Sequence, residues 1–168
     1  MVADTIRLLL FPALMAFAAS SDLFTMTISN KLSLALVAGF AVLAVVTGMS
    51  LADVGMHLAA GALVLTFAFG FFAAGWIGGG DAKLVAATAL WFGFGHLMDY
   101  LLYASIFGGV LTILLLKFRT LPLPEMLERQ PWIKRLHDAA GGVPYGIALA
   151  AAALLIYPKT GWMPGAGL

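Results

Sequence analysis

Two aspartates stand where a carboxylate is costly. Asp22 closes an apolar stretch in Ser20-Ser21-Asp22-Leu23, and Asp81 opens another in Gly78-Gly79-Gly80-Asp81-Ala82-Lys83-Leu84. Ionisable groups at membrane depth face a bundle interior or a wet cavity, and they are functional-site candidates by default. The bland alternative is a pair of ordinary charges at the membrane surface. The glycines weigh against that alternative for Asp81. Three in a row ahead of a helix let the backbone bend sharply or admit another chain closely. Non-helical backbone at membrane depth also needs protein or water around it.

Two carboxylates brought within about 3–5 Å do not both ionise; they share a proton and titrate as a pair. The ionised member can take a proton from water while the protonated one donates to a carbonyl oxygen, which is aspartic-protease chemistry. It requires no metal, cofactor or covalent intermediate. Asp81 is expected at a helix N-terminus, where the macrodipole favours negative charge, and Asp22 near a helix C-terminus, where it does not. The shared proton is therefore expected on Asp22, with Lys83 adding positive potential near Asp81.

Other chemistries find little support. Cysteine is absent, which removes thiolate nucleophiles, disulfides and cysteine-based metal sites. His57, His96 and His137 are far apart and lack a spacing such as H-E-x-x-H, so no metal is expected. The glycine run is not followed by the lysine of a phosphate-binding loop. The net charge of +1 says nothing about nucleic acid, and no basic run is dense enough to follow DNA, so no nucleic-acid partner is expected.

The elements that must position the aspartates are membrane helices. Of 168 residues, 62% are hydrophobic and 10% charged, against roughly 25% charged in soluble domains. The expected fold is an all-α membrane protein, a polytopic bundle of about six transmembrane helices in a single domain, residues 1–168. The spans are predicted at about Thr5–Ser21, Leu32–Thr47, His57–Ile77, Ala82–Gly95, Leu97–Leu116 and Val143–Tyr157. Each approaches the roughly 17–25 residues a span needs, the fourth being short. Lys31, Lys83, Lys117, Arg119, Arg129, Lys134 and Arg135 fall between spans on one side; Arg7 and Lys159 fall on the other. The positive-inside rule then puts the aspartates at the cytoplasmic face and both termini outside, with Asp53, His57, His96 and Asp99 in outer loops.

A cytoplasmic loop is expected at about 117–142. Glu125 and Arg129 form an i,i+4 pair that predicts a short surface helix, and Trp132 suits a headgroup-level anchor. The loop is read as solvated, with substrate docking as the alternative. Ala16-Phe17-Ala18 after an apolar run has features of a cleavable signal peptide, which Asp4 weakens. Small residues at i,i+4, such as Ala104 and Gly108, are explained by helix packing.

Three stretches resemble the prepilin peptidases, the GxGD-type aspartic proteases that cut leader peptides from type IV pilins. They are Ser21-Asp22-Leu23 with Ile28-Ser29-Asn30-Lys31-Leu32, then Gly78-Gly79-Gly80-Asp81-Ala82-Lys83-Leu84, then Val143-Pro144-Tyr145-Gly146-Ile147-Ala148. The chain looks most like the short form of Flp (tight-adherence) pilus systems. The resemblance implies an aspartic endopeptidase of the bacterial inner membrane with Asp22 and Asp81 as the dyad. Gly78 and Gly80 would shape the turn, and Lys83 would tune or orient Asp81. Asn30, Pro144, Tyr145 and Gly146 would be structural or line the site; by itself, Pro144 reads as a helix-start proline. The implied substrate is a prepilin with a basic cytoplasmic leader and an apolar membrane helix, and pilus-assembly proteins are possible partners beside the lipid bilayer.

Ser29 departs from the family's I-P-N, so the loop after Asp22 is expected to be less rigid. The cysteine-bearing insert of the long, methylating members is missing, so methylation is unsupported. Two alternatives stand. One is a related GxGD intramembrane or preflagellin-type peptidase. The other is a small proton- or ion-coupled transporter or an assembly subunit, against which stand the lack of an internal repeat and the position of both acids near one face.

Overall fold

The computed structural model describes residues 2–163. The expected placement of the two chain ends concerns residues outside those described. Among the described residues the chain is helical, without strands. Four long helices come first: α1 (Val2–Thr25), α2 (Asn30–Val46), α3 (Leu51–Ala73) and α4 (Gly79–Arg119). Two short ones follow, α5 (Glu125–Glu128) and α6 (Pro131–His137), and then α7 (Tyr145–Ile156) with a 3-10 turn at Tyr157–Lys159.

Among the described residues three helices are long and apolar enough to cross a membrane: Asp4–Thr25, Leu51–Ala73 and Gly79–Arg119. Asn30–Val46 and Tyr145–Lys159 are apolar but shorter. The large aliphatic and aromatic side chains left exposed, among them Leu9, Leu51, Phe67 and Ile113, are what a lipid-facing surface requires.

The fourth and fifth predicted spans are one element broken at Gly93. Gly93 has φ 56° and ψ −171° inside α4, a region open essentially to glycine alone. The rings of Phe92 and Tyr100 lie with centroids 5.2 Å apart. On a straight helix those residues would be about 12 Å apart along the axis, so the chain reverses at Gly93. The reversal brings residues 94–119 back towards the end of the bundle where α4 began. Two carbonyls beside the break receive side-chain donors: Leu90 O from His57 Nδ1 at 2.7 Å and Trp91 O from Trp162 Nε1 at 2.7 Å. A carbonyl can only accept, so the proton of His57 is on Nδ1.

His57 is thus a packing residue of α3, not part of an outer loop. The predicted start of span 3 is late by six residues. Ser50 Oγ accepts the Asp53 N–H at 3.1 Å and bonds the Asp53 carboxylate at 2.6 Å. That cap starts α3 at Leu51 and draws Asp53 into its first turn. Around the break, Phe11, Phe40, Trp91, Tyr157 and Trp162 form a continuous aromatic cluster.

Gly93→Ala should be among the most destabilising single changes. An added Cβ would lie 3.0–3.2 Å from the His57 ring, at a backbone conformation costing about 1–3 kcal/mol for any L side chain. The expected result is a lower thermal unfolding temperature in detergent. An unchanged midpoint would show that the hairpin does not depend on this glycine.

The 117–142 segment contains two short helices and most of its side chains are exposed. The predicted short helix is present as α5, while α6 escaped the sequence pattern. Arg119 donates from Nε to Leu136 O at 2.8 Å and from Nη2 to Gly142 O at 2.7 Å. Arg135 Nη1 donates to Phe24 O at 2.7 Å, and Trp132 packs edge-on against Phe24. Trp132 therefore anchors α6 to the last turn of α1, at Phe24, two residues from Asp22.

Candidate active site

Asp22 lies in the last turn of α1 and is only 5% exposed. Its Oδ2 accepts the Gly146 N–H at 2.7 Å. The sequence of α7 explains the need. Helix N-termini leave their first N–H groups unbonded, and Pro144 at the N-cap has no side chain that can accept them. Asp22 supplies that cap from another helix, 124 residues away in sequence. The α7 dipole points its positive end at the carboxylate.

Asp81 is the third helical residue of α4, after Gly78 at the N-cap, Gly79 and Gly80. Its Oδ2 turns back on Gly78 and would lie 3.0 Å from a Cβ placed there. The Asp22 and Asp81 carboxylates act on one another electrostatically. Both acids therefore sit at helix N-termini. The expectation that put the shared proton on Asp22 considered the end of α1 alone and left out α7. With a helix N-terminus at each carboxylate, helix ends do not divide their roles.

Ile28 ties the two acids together, a part the sequence did not assign to it. A Cβ on Gly80 would stand 3.1 Å from Ile28 Cβ. A Cβ on Gly146 would stand 2.7 Å from Ile28 Cδ1 and 2.8 Å from Asp22 Oδ2. Ile28 is wedged between the glycine turn and the start of α7, and it fits only because both contact positions lack a side chain. The only sequence signal was its place in Ile28-Ser29-Asn30. Tyr145 packs its ring on Gly108, holding α7 to the returning half of α4.

Ser29 also has a use. Its Oγ accepts the Leu32 N–H at 3.3 Å, making Ser29 the N-cap of α2. The loop after Asp22 is therefore fastened at its far end without the family's proline. At its near end Ser21 Oγ donates to Thr27 O at 2.9 Å.

Lys83 serves a different partner from the one expected. Its Nζ donates to Asn30 Oδ1 at 2.8 Å, so it joins the start of α2 to the first turn of α4. Lys83→Met and Asn30→Ala should each lower thermal stability slightly, and the double variant should lose little more. A coupling of about 0.5–1 kcal/mol is expected for an exposed bond of this kind. Strict additivity of the two losses would show that the contact carries no energy.

The structure thus brings Asp22, Gly78, Gly80, Asp81 and Gly146 into one cluster, with Asn30 and Lys83 at its edge and Pro144 and Tyr145 behind it. Among the described residues no group of three or more His, Asp or Glu side chains could hold a metal ion.

Residues 9–113 match the family model described as the type IV leader peptidase family. The chain belongs to the type IV leader peptidase family. The match covers more than half of the sequence and contains both aspartates and the glycine turn. The Pro144-Tyr145-Gly146 segment lies beyond it, joined to it by the Asp22–Gly146 hydrogen bond. Neither the curated proteins nor the solved structures contain a match to the chain. Membership makes this helical protein a peptidase and removes the ground for a transporter, and with its apolar helices it fits the inner membrane.

Proposed function

We propose that the protein is an aspartic endopeptidase that removes the leader from type IV prepilins of the Flp kind, with Asp22 and Asp81 as its dyad. The observation that carries this is the Ile28 wedge. It packs at once on the glycine turn before Asp81 and on the α7 start that binds Asp22. Such packing brings two acids from distant parts of the chain together.

In the proposed mechanism the pair holds one proton. The ionised carboxylate takes a proton from a water molecule, whose oxygen attacks the scissile carbonyl carbon. The protonated carboxyl donates to the carbonyl oxygen as it becomes an oxyanion. The tetrahedral intermediate collapses with the C–N bond breaking, and the leaving amine takes up the proton gained from water. The proposed topology has six spans, counting the two arms of α4 separately. The aspartates then face the cytoplasm, where the basic leader of the substrate lies. The four residues 26–29 between α1 and α2 leave no room for the insert of the methylating members, so the activity is peptidase alone.

The test is cleavage of a pilin precursor in membranes containing the protein, read as the mass of the two products. A single cut between leader and apolar helix is expected. An intact precursor after prolonged incubation would refute the substrate assignment.

A further inference from the structure

A pocket lies at the end of the bundle away from the dyad. Arg7 precedes Asp22 on α1 by about 22 Å of helix, and Gly93 follows Asp81 on α4 by about 18 Å. There α1, α3, the break in α4 and the residues after the 3-10 turn enclose about 310 Å³, a volume within the range of small-ligand sites. Trp91, Phe92 and Trp162 give it an apolar wall.

The polar groups of the pocket carry both signs. Arg7 Nε is buried and has no hydrogen-bond partner among the described residues, a costly state for a charged donor. Asp53, in the same lining, does not relieve it. The Asp53 carboxylate is held through Oδ2 by Ser50 Oγ at 2.6 Å, and Oδ1 remains an acceptor. His57 spends its ring N–H on Leu90 O, so its Nε2 can only accept. That nitrogen lies 3.1 Å from where a Cβ of Gly93 would stand, beside the break. His96 also lines the pocket, and a neutral imidazole always has one ring N–H to donate.

We infer that this pocket binds a zwitterion in which a phosphate is joined by a short carbon link to a primary ammonium, the phosphoethanolamine group. A simple anion would meet Asp53, and a simple cation would meet Arg7; a zwitterion answers both. The phosphate takes the Arg7 fork, which suits two parallel N–H bonds to phosphate oxygens, and the His96 N–H. The ammonium has three donors to place, and Asp53 Oδ1 and His57 Nε2 accept from it. The carbon link lies on the Trp162 ring. The site stands about 20 Å along the bundle from the dyad, which suits the headgroup zone of the opposite leaflet, since the hydrocarbon core is about 30 Å thick. Such a group has two sources, a lipid headgroup or the free soluble compound. From either, it ties α1 and α3 together across the Gly93 break. The inference does not depend on which peptide the protein cuts.

The test uses the full chain, stripped of lipid in detergent. It is titrated with phosphatidylethanolamine, phosphatidylglycerol, phosphatidylcholine and soluble O-phosphoethanolamine. Binding is read by native mass spectrometry and by the rise in unfolding temperature that a ligand of the folded state produces. Phosphatidylethanolamine is expected to bind at least tenfold more tightly than the other two lipids. Phosphatidylglycerol has no ammonium, and the quaternary nitrogen of phosphatidylcholine has no N–H. Arg7→Gln should weaken binding of phosphatidylethanolamine about tenfold. Asp53→Asn should bring it down to the level of phosphatidylglycerol without weakening phosphatidylglycerol itself, a split that a merely structural role would not produce. Unfolding without lipid is the control for both variants. Binding of the soluble compound as tightly as the lipid would make it the source; binding of the lipid alone would assign the site to the headgroup. Equal binding of the three lipids by wild type would overturn the inference, whether or not the variants fold. So would an unchanged lipid preference in a folded Asp53→Asn protein.

Discussion

Asp22→Asn and Asp81→Asn should each lower turnover of a pilin precursor by about a thousandfold, the scale of losing a positioned acid or base. Both variants should remain folded, because asparagine keeps an acceptor oxygen. In Asp22→Asn that oxygen can still receive the Gly146 N–H, which is now donated at 2.7 Å to the carboxylate. The cap would lose its charge, a cost of about 1 kcal/mol. The double variant should be no slower than either single one, since a dyad works as a unit. Mass spectrometry of the precursor provides the readout, with thermal unfolding in detergent as the control for folding. Cleavage within tenfold of wild type in either variant would rule out the dyad.

The same pair fixes the form of the pH profile. Only the singly protonated pair contains both an acid and a base. When pH falls far enough for both carboxyls to be protonated, no base remains, and the rate drops. When it rises far enough for both to ionise, no acid remains, and the rate drops again. A bell in kcat/KM is expected for wild type. The residual activity of either asparagine variant should lack it.

How much of this was legible in the sequence varies by element. Asp81 was marked by its glycine turn, because a run of three glycines has few other uses. Asp22 was marked as an acid closing an apolar run, and its neighbourhood was misjudged. Helix-end reasoning saw α1, the helix that carries Asp22. It could not see α7, which meets Asp22 only through tertiary packing. The partner of Lys83 was hidden for a related reason. Two residues from Asp81 in sequence, it sits across the first turn of α4 and reaches Asn30 of another helix. Periodicity and charge describe one element at a time, so partners from distant elements stay hidden. The break at Gly93 was anticipated as a short fourth span with a neighbour close behind. Its cause, a single glycine in a conformation closed to other residues, left no pattern in the hydropathy. His57 was likewise out of reach, since its role is to donate to a carbonyl 33 positions away.

Gly146→Ala tests the tertiary part of the site without touching either acid. One methyl group would have to fit 2.7 Å from Ile28 Cδ1, 2.8 Å from Asp22 Oδ2 and 3.1 Å from Asp22 Cβ. Ile28 cannot easily retreat, because its other side lies against Gly80. The start of α7 must therefore move off Asp22, stretching the Gly146 N–H bond and shifting the carboxylate relative to Asp81. Displacements of about 1 Å at a reacting group cost on the order of a hundredfold in rate. A fall in kcat of that size is expected. Gly95→Ala is the matched control, because a Cβ there meets nothing within 4 Å and should leave turnover unaltered. If Gly146→Ala cut the precursor as fast as Gly95→Ala, the α7 start would be a scaffold that Asp22 does not need. If Ile28→Val then restored part of the lost rate by clearing space at Gly146, the wedge itself would be identified as what sets the two carboxylates in register.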